Sequence, residues 1–210
     1  MKKMKANGTT AAFGVTRRAI LQGGFAVTAS LGSSIALPSS AAQETPLALT
    51  PSCDSDEAPT PAGTEGPYFM PSSPAKSDFR ADAAGVAIAI MGWVLTRDCR
   101  PIANAVIDLW HADANGEYDN DGYRLRGHQL TDTAGRYVFR TIVPAPYDER
   151  TRHYHVKVRA PGGRLLTTQL YFPGEARNSR DFLFDRRLLM QIESASSGRI
   201  GRFDFVLAHA

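Results

Sequence analysis

From residue 86 onward the chain breaks into short stretches of alternating apolar and polar residues, each closed by a turn. Residues 86–96 form the longest, with Trp93 and several β-branched side chains. Residues 105–110 read Ala-Val-Ile-Asp-Leu-Trp, 137–142 read Tyr-Val-Phe-Arg-Thr-Ile, and 153–158 read His-Tyr-His-Val-Lys-Val, while 165–172 and 202–207 complete the series. Period-two alternation sends successive side chains to opposite faces of a strand. Asn115-Gly116, Asp121-Gly122, Ala134-Gly135, Pro161-Gly162-Gly163 and Ser197-Gly198 supply turns between them. This pattern predicts an all-β chain, a single antiparallel sandwich or barrel-like domain with long loops. One stretch departs from it: Phe182, Leu183, Leu188 and Leu189 fall near helical spacing and predict a short helix over 179–191.

The first 42 residues have a different character. They carry Lys2, Lys3, Lys5, Arg17 and Arg18 and no acidic residue. Arg17-Arg18 precedes a weakly apolar stretch rich in Ala, Gly, Ser and Thr, then Pro38 and a small-residue site, Ser40-Ala41-Ala42. That order predicts a twin-arginine export signal over 1–42, cleaved after Ala42, and a periplasmic or extracellular destination. Residues 43–62, rich in Pro, Ser, Thr and Ala, predict a flexible linker, and 63–210 the folded domain. Removing the five basic residues from 24 Lys and Arg leaves 19 against 21 acidic residues, so the formal charge of +3 belongs to the signal. A slightly acidic domain without a basic stripe points away from nucleic acid. No apolar run reaches the roughly 18 residues of a spanning helix, so no stable membrane span is expected after processing. Cys53 and Cys99 are the only cysteines. In an oxidising compartment they could close a loop of about 46 residues worth about 3–4 kcal/mol, and the alternative is two unpaired small residues.

His153 and His155 sit two apart on a predicted strand, so both imidazoles point to one face. Taken alone, the pair fits either a metal or two packed histidines. Two further segments add phenols. Residues 110–118, Trp-His-Ala-Asp-Ala-Asn-Gly-Glu-Tyr, leave a strand and end on Tyr118; residues 141–147, Thr-Ile-Val-Pro-Ala-Pro-Tyr, leave another and end on Tyr147.

Together with Thr64-Glu65-Gly66-Pro67-Tyr68, Leu125-Arg126-Gly127, Thr131-Asp132, residues 150–155 and Thr167-Thr168-Gln169, these segments resemble the intradiol ring-cleavage dioxygenases, the family of catechol and protocatechuate dioxygenases. Pro146 departs from a Trp often found before the second tyrosine, and Tyr154 from a small aliphatic residue between the histidines. The resemblance implies one mononuclear non-haem Fe(III) held by Tyr118, Tyr147, His153 and His155. It implies a small aromatic diol and O2 as substrates, cleavage between the two hydroxyl-bearing carbons, and a muconate-type diacid as product. Tyr147 is implied to leave the metal and take a substrate proton, Arg150 to stabilise negative charge on the ring, and Gln169 to guide the oxygenated intermediate. Gly66, Pro67 and Tyr68 resemble a loop that covers the substrate. The helical N-terminal region of catechol-type members has no counterpart before Thr64, which implies the smaller protocatechuate-type form. Sites in that branch can border another subunit, which leaves a homo-oligomer open.

Elementary chemistry agrees with such a donor set. A trivalent cation can hold phenolates deprotonated although free tyrosine titrates near pH 10. Hard anionic oxygens also favour the ferric state. His111, His128 and His209 are expected to be structural or surface histidines, and Asp108 to make structural hydrogen bonds. Two rival readings remain: a transthyretin-like binding sandwich without catalysis, and a zinc hydrolase using His153, His155 and a carboxylate such as Asp113 or Asp148. There is no Gly-x-Ser-x-Gly elbow, Walker loop or zinc-protease motif.

Overall fold

A computed structural model describes residues 58–196 and 198–208. The signal over 1–42, Cys53 and His209 lie outside these residues. Nine strands follow in order among the described residues: β1 (Ala87–Thr96), β2 (Val106–Trp110), β3 (Arg126–Leu130), β4 (Arg136–Ile142), β5 (His153–Arg159), β6 (Leu166–Tyr171), β7 (Gln191–Ala195), β8 (Gly198–Arg202) and β9 (Phe205–Leu207). One sheet runs β4-β1-β8-β7, with β9 following β8 along the same edge of β1; the other runs β3-β2-β5-β6. The two form the expected sandwich.

Inward-facing residues of both sheets make the core. Ile88, Ile90 and Val94 from β1 and Phe139 from β4 meet Ile107 and Leu109 from β2, Tyr154, Val156 and Val158 from β5 and Leu170 from β6. Burying each large apolar side chain contributes about 1.5–3 kcal/mol. Tyr154, in place of a small aliphatic residue, is fully buried in the core, and its hydroxyl donates to Ile142 O at 2.9 Å, so its own donor is satisfied. The expected strand over 202–207 is two strands. Asp204 Oδ1 accepts from Trp93 N at 2.9 Å in place of a ladder bond. Phe203 O lies where a Cβ on Gly92 would stand only 1.9 Å away, so the break requires glycine there.

The helix expected over 179–191 does not form. Its place is taken by two 3-10 turns, Ala176–Ser179 and Arg186–Leu188. Acidic side chains divert the backbone. Asp181 accepts from Leu183 N at 3.0 Å, and Asp185 accepts from Arg187 N at 2.9 Å. The apolar residues whose spacing looked helical instead divide: Leu188 is buried and Phe182 is 84% exposed.

The linker expected over 43–62 is described only from residue 58, and that end is bonded to the sandwich rather than loose. Thr60 N donates to Val206 O at 2.9 Å, and Thr168 Oγ1 donates to Pro61 O at 2.8 Å. Cys99 is disulfide-bonded, and no described cysteine is free.

Candidate metal centre

β5 divides its residues between two surfaces. Tyr154, Val156 and Val158 enter the core, so His153 and His155 project from the opposite face of the sheet. Loops cover that face, and both imidazoles are almost fully buried. Burial holds both well below the ordinary histidine range, with His153 at about 4, helped by the Arg150 charge. Both rings are therefore neutral at physiological pH. His153 Nδ1 donates to Thr151 O at 2.6 Å, which leaves the Nε2 lone pair facing out of the sheet. The two Nε2 atoms stand 3.1 Å apart. Trp110, the cross-strand neighbour of His155, stacks on it at 5.0 Å and 9° and fixes its plane.

Tyr118 arrives on the loop after β2. Asp113 turns that loop by accepting from Asn115 N at 2.8 Å and Glu117 N at 3.1 Å. Gly116, at φ +89°, packs directly on the other tyrosine loop: a Cβ there would stand 2.9 Å from Pro146 O and 3.3 Å from Tyr147 Cβ. Ala145 N also donates to Asp113 O at 2.9 Å, so the two loops are one unit. Tyr147 ends the Pro144–Pro146 stretch and starts a tight turn, closed by Arg150 N donating to Tyr147 O at 2.8 Å.

The four rings follow one another in a closed circuit. Centroids are 5.2 Å apart for Tyr118 and Tyr147, 5.5 Å for Tyr147 and His153, 4.7 Å for His153 and His155, and 6.1 Å for His155 and Tyr118. The Tyr118 hydroxyl is buried and makes no well-formed hydrogen bond, although the Tyr147 phenol is its neighbour. Burial, and secondly Tyr147, raises its pKa strongly; burial also raises that of Tyr147, against the pull of Arg150.

These donors fit a metal ion. Two nitrogens at about 2.1 Å from one ion and at right angles would stand about 3 Å apart, close to the spacing of the two Nε2 atoms. An orphaned buried hydroxyl also calls for a partner. Among the described residues no cluster of three or more His, Cys, Asp or Glu offers an alternative. Asp113 is spent on its turn, and Asp148 is exposed.

Arg150 and Gln169 lie beside the circuit and touch each other. Arg150 Nη2 donates to Gln169 Oε1 at 2.6 Å and to the Tyr171 hydroxyl at 3.2 Å. Its Nε faces both oxygens of Asp181, at 3.0 and 2.9 Å. Neither Asp148 nor Glu149, its sequence neighbours, takes that role. The Gln169 amide nitrogen faces His155 Nδ1 at 3.5 Å and donates to Thr64 O at 3.2 Å. Gln169 and Tyr171 also floor a surface cleft of about 770 Å³ that runs between Thr64 and Phe182.

Residues 63–76 form a strap over this sheet face. Gly66, at φ +74°, rests against His155, where a Cβ would stand 3.0 Å from Cε1. Tyr68 stacks on Tyr118 at 4.2 Å and 13° and meets Tyr147 edge-on at 5.8 Å. Pro67 is exposed at the turn between them. Glu65 pairs with Lys157, whose ammonium lies 3.3 Å over the Phe69 ring.

His111 points the other way from Trp110, into the core. Its ring nitrogens bond Ala112 O and Thr141 Oγ1, each at 2.7 Å. His128 bonds Ser73 Oγ at 3.2 Å. Sequence reasoning did not anticipate Asp181, the Thr151 carbonyl or the Trp110 stack. No sequence signal marks the first, which lay inside the supposed helix. The other two follow from neighbours of the histidines once strand pairing is known.

Comparison with known proteins gives a consistent picture. A family model described as Dioxygenase matches residues 64–208. Catechol 1,2-dioxygenase 2 of Acinetobacter lwoffii is 32% identical over 159 residues, covering 62% of this chain and 58% of that protein. Chlorocatechol 1,2-dioxygenase of Pseudomonas sp. strain P51 is 31% identical over 174 residues, 70% of this chain and 69% of that one. The solved dioxygenase domain of a dioxygenase and carbohydrate-binding fusion from the cellulolytic bacterium Streptomyces sp. SirexAA-E is 51% identical. It covers 73% of this chain and 100% of that one, with a TM-score of 0.71. The chain spans between half and three-fifths of several curated relatives, 51% of the hydroxyquinol 1,2-dioxygenase of Nocardioides simplex among them. The chain belongs to the dioxygenase family, among its intradiol-type members.

Proposed function

We propose that this protein is a mononuclear non-haem Fe(III) enzyme that cleaves a catechol-type ring between its two hydroxyl-bearing carbons. Both atoms of O2 enter the product, a muconate-type diacid. The observation that carries this reading is the closed circuit of two phenols and two neutral imidazoles around a buried, unpartnered Tyr118 hydroxyl.

Tyr118, Tyr147, His153 and His155 would hold the iron. When bound, ferric iron would supply a Lewis acid that draws electron density from the deprotonated diol and opens the ring to O2. The remaining work falls to the chain itself. The Tyr147 phenolate oxygen would accept one of the two diol protons and a hydroxide the other, so no separate carboxylate base is required. Thr151 O keeps the proton of His153 on Nδ1 and Nε2 available. The Arg150 guanidinium, anchored by Asp181, places a fixed positive charge where negative charge develops on the ring. Gln169, oriented by Arg150, presents its amide beside His155. Tyr68 and Gly66 wall the site, with Pro67 at the turn between them, and the strap excludes water. Catechols and chlorocatechols, the substrates named for the relatives, are the compounds to try first. A twin-arginine signal over 1–42 would carry the folded, metal-loaded domain out of the cytoplasm, which fractionation of cells can test.

The visible spectrum of purified, iron-loaded protein tests the reading. Tyrosinate bound to Fe(III) produces a burgundy colour, and catechol with O2 should then yield a diacid. A colourless protein with zinc at full occupancy and no oxygen uptake would overturn it in favour of a hydrolase. A colourless protein that takes up no metal would leave a binding sandwich.

A further inference from the structure

We infer that Arg126 is a positioning residue that couples the strap to the ligand loop, fixing Tyr68 and Tyr118 as one stacked unit beside the metal. This rests on the iron reading above. Arg126 opens β3 opposite Trp110 and is 2% exposed. Its guanidinium spans two loops far apart in sequence. Nε and Nη2 donate to Asp119 O at 3.1 and 2.6 Å, and Nη1 donates to Tyr68 O. Asp119 directly follows Tyr118, so one fork grips the backbone next to each of the two stacked tyrosines. The guanidinium carbon also lies 6.0 Å from the Tyr118 ring centroid.

The neighbouring backbone is shaped to admit this clamp. A Cβ on Gly127 would stand 2.4 Å from Lys76 O, so glycine lets the strap lie on β3. There His128 N donates to Pro74 O at 2.9 Å and Lys76 N to His128 O at 3.0 Å. Among the described residues, no hydrogen bond or salt bridge joins Arg126 to a carboxylate. A buried cation spent on two carbonyls serves geometry better than charge neutralisation, because a planar fork holds both acceptors at fixed angles. Lysine would keep the charge and lose the fork.

The test compares iron-loaded wild type with Arg126→Lys, Tyr68→Leu and the double variant. Four readouts are followed: iron content, melting temperature, the tyrosinate-to-iron charge-transfer band, and KM against kcat for catechol. Arg126→Lys should keep iron at wild-type stoichiometry, shift the charge-transfer maximum, and raise KM several-fold with a smaller change in kcat. Tyr68→Leu should move the band in the same direction, and the double variant by no more than the larger single shift. An unchanged band and KM in Arg126→Lys overturns the inference, as does simple additivity in the double variant. Should Arg126→Lys fail to fold, Tyr68→Leu decides alone: a wild-type band there removes the stack as the coupling element. A wild type without any charge-transfer band overturns the iron reading instead, so the two failures are distinguishable.

Discussion

Arg150 and Asp181, 31 residues apart in sequence, form a buried ion pair in which one guanidinium nitrogen faces both carboxylate oxygens at 3.0 and 2.9 Å. The same carboxylate accepts from Thr151 N at 2.9 Å, so it anchors the residue whose carbonyl sets the His153 tautomer. Asp181→Asn should destabilise the fold by about 3–5 kcal/mol, since it leaves a buried cation without its anion. Chemical denaturation measures this, and a loss below about 1 kcal/mol would show that the pair contributes little.

Arg150→Ala removes the charge and keeps all four donors. Turnover should fall by about a hundred-fold or more, with iron content and colour preserved. Metal analysis beside steady-state oxygen uptake checks both halves. Full turnover would refute the role given to Arg150, and loss of iron would make it a structural residue.

Much of the placement of the four candidate ligands was legible in the sequence, because it is local. His-x-His on an alternating stretch determines a shared face, and each tyrosine closes a loop leaving a strand. What was not legible depends on pairing across long separations. β3, Arg-Gly-His-Gln-Leu, has no β-branched or aromatic residue and becomes a strand only through β2. Asp181 was hidden by a helical spacing of Phe182, Leu183, Leu188 and Leu189, which its own carboxylate defeats by bonding the backbone. Arg126 was visible as part of a motif, but nothing in the sequence says that its fork joins residues 68 and 119.

Metal uptake should release protons. Both phenols are pushed upward by burial and enter the metal-free site neutral. Binding must deprotonate both, so apparent affinity should rise by about two powers of ten per pH unit near neutrality. Proton release on adding Fe(III), or redox-inert Ga(III), measures the stoichiometry. Tyr118→Phe should release one proton fewer and shift the charge-transfer band. Unchanged release and spectrum would remove Tyr118 from the ligand set.

Gly116→Ala tests the contact between the two tyrosine loops. Its φ of +89° and the 2.9 Å approach of Pro146 O leave no room for a methyl group. Stability should fall by about 1–3 kcal/mol, with a displaced Tyr147 altering the colour of the loaded protein. A variant matching wild type in melting and spectrum would show that the loops move independently.

Stability of the metal-free protein should depend on His111 in acid. Burial lowers its pKa from 6.5 to about 4 in the folded chain. The unfolded chain therefore takes up a proton that the folded one refuses between these values. Its contribution is complete at neutral pH and is lost as pH falls from about 6.5 to 4, on the order of 3 kcal/mol. Urea unfolding across that range should give a shallower slope for His111→Gln by about one proton. Equal slopes would place the burden on other groups.

β5 alternates between Tyr154 and Val156 on one side and His153 and His155 on the other. The candidate ligands and the core packing thus occupy opposite sides of a single ribbon. On the proposed function, exchanging the segments 63–76, 113–118 and 144–150 for those of another member would retailor the site while His111 and Ala112 keep their places in the packing beneath it. On that reading a lineage would change which diol it accepts while inheriting the same foundation, and a laboratory would treat those three segments as an interchangeable cassette.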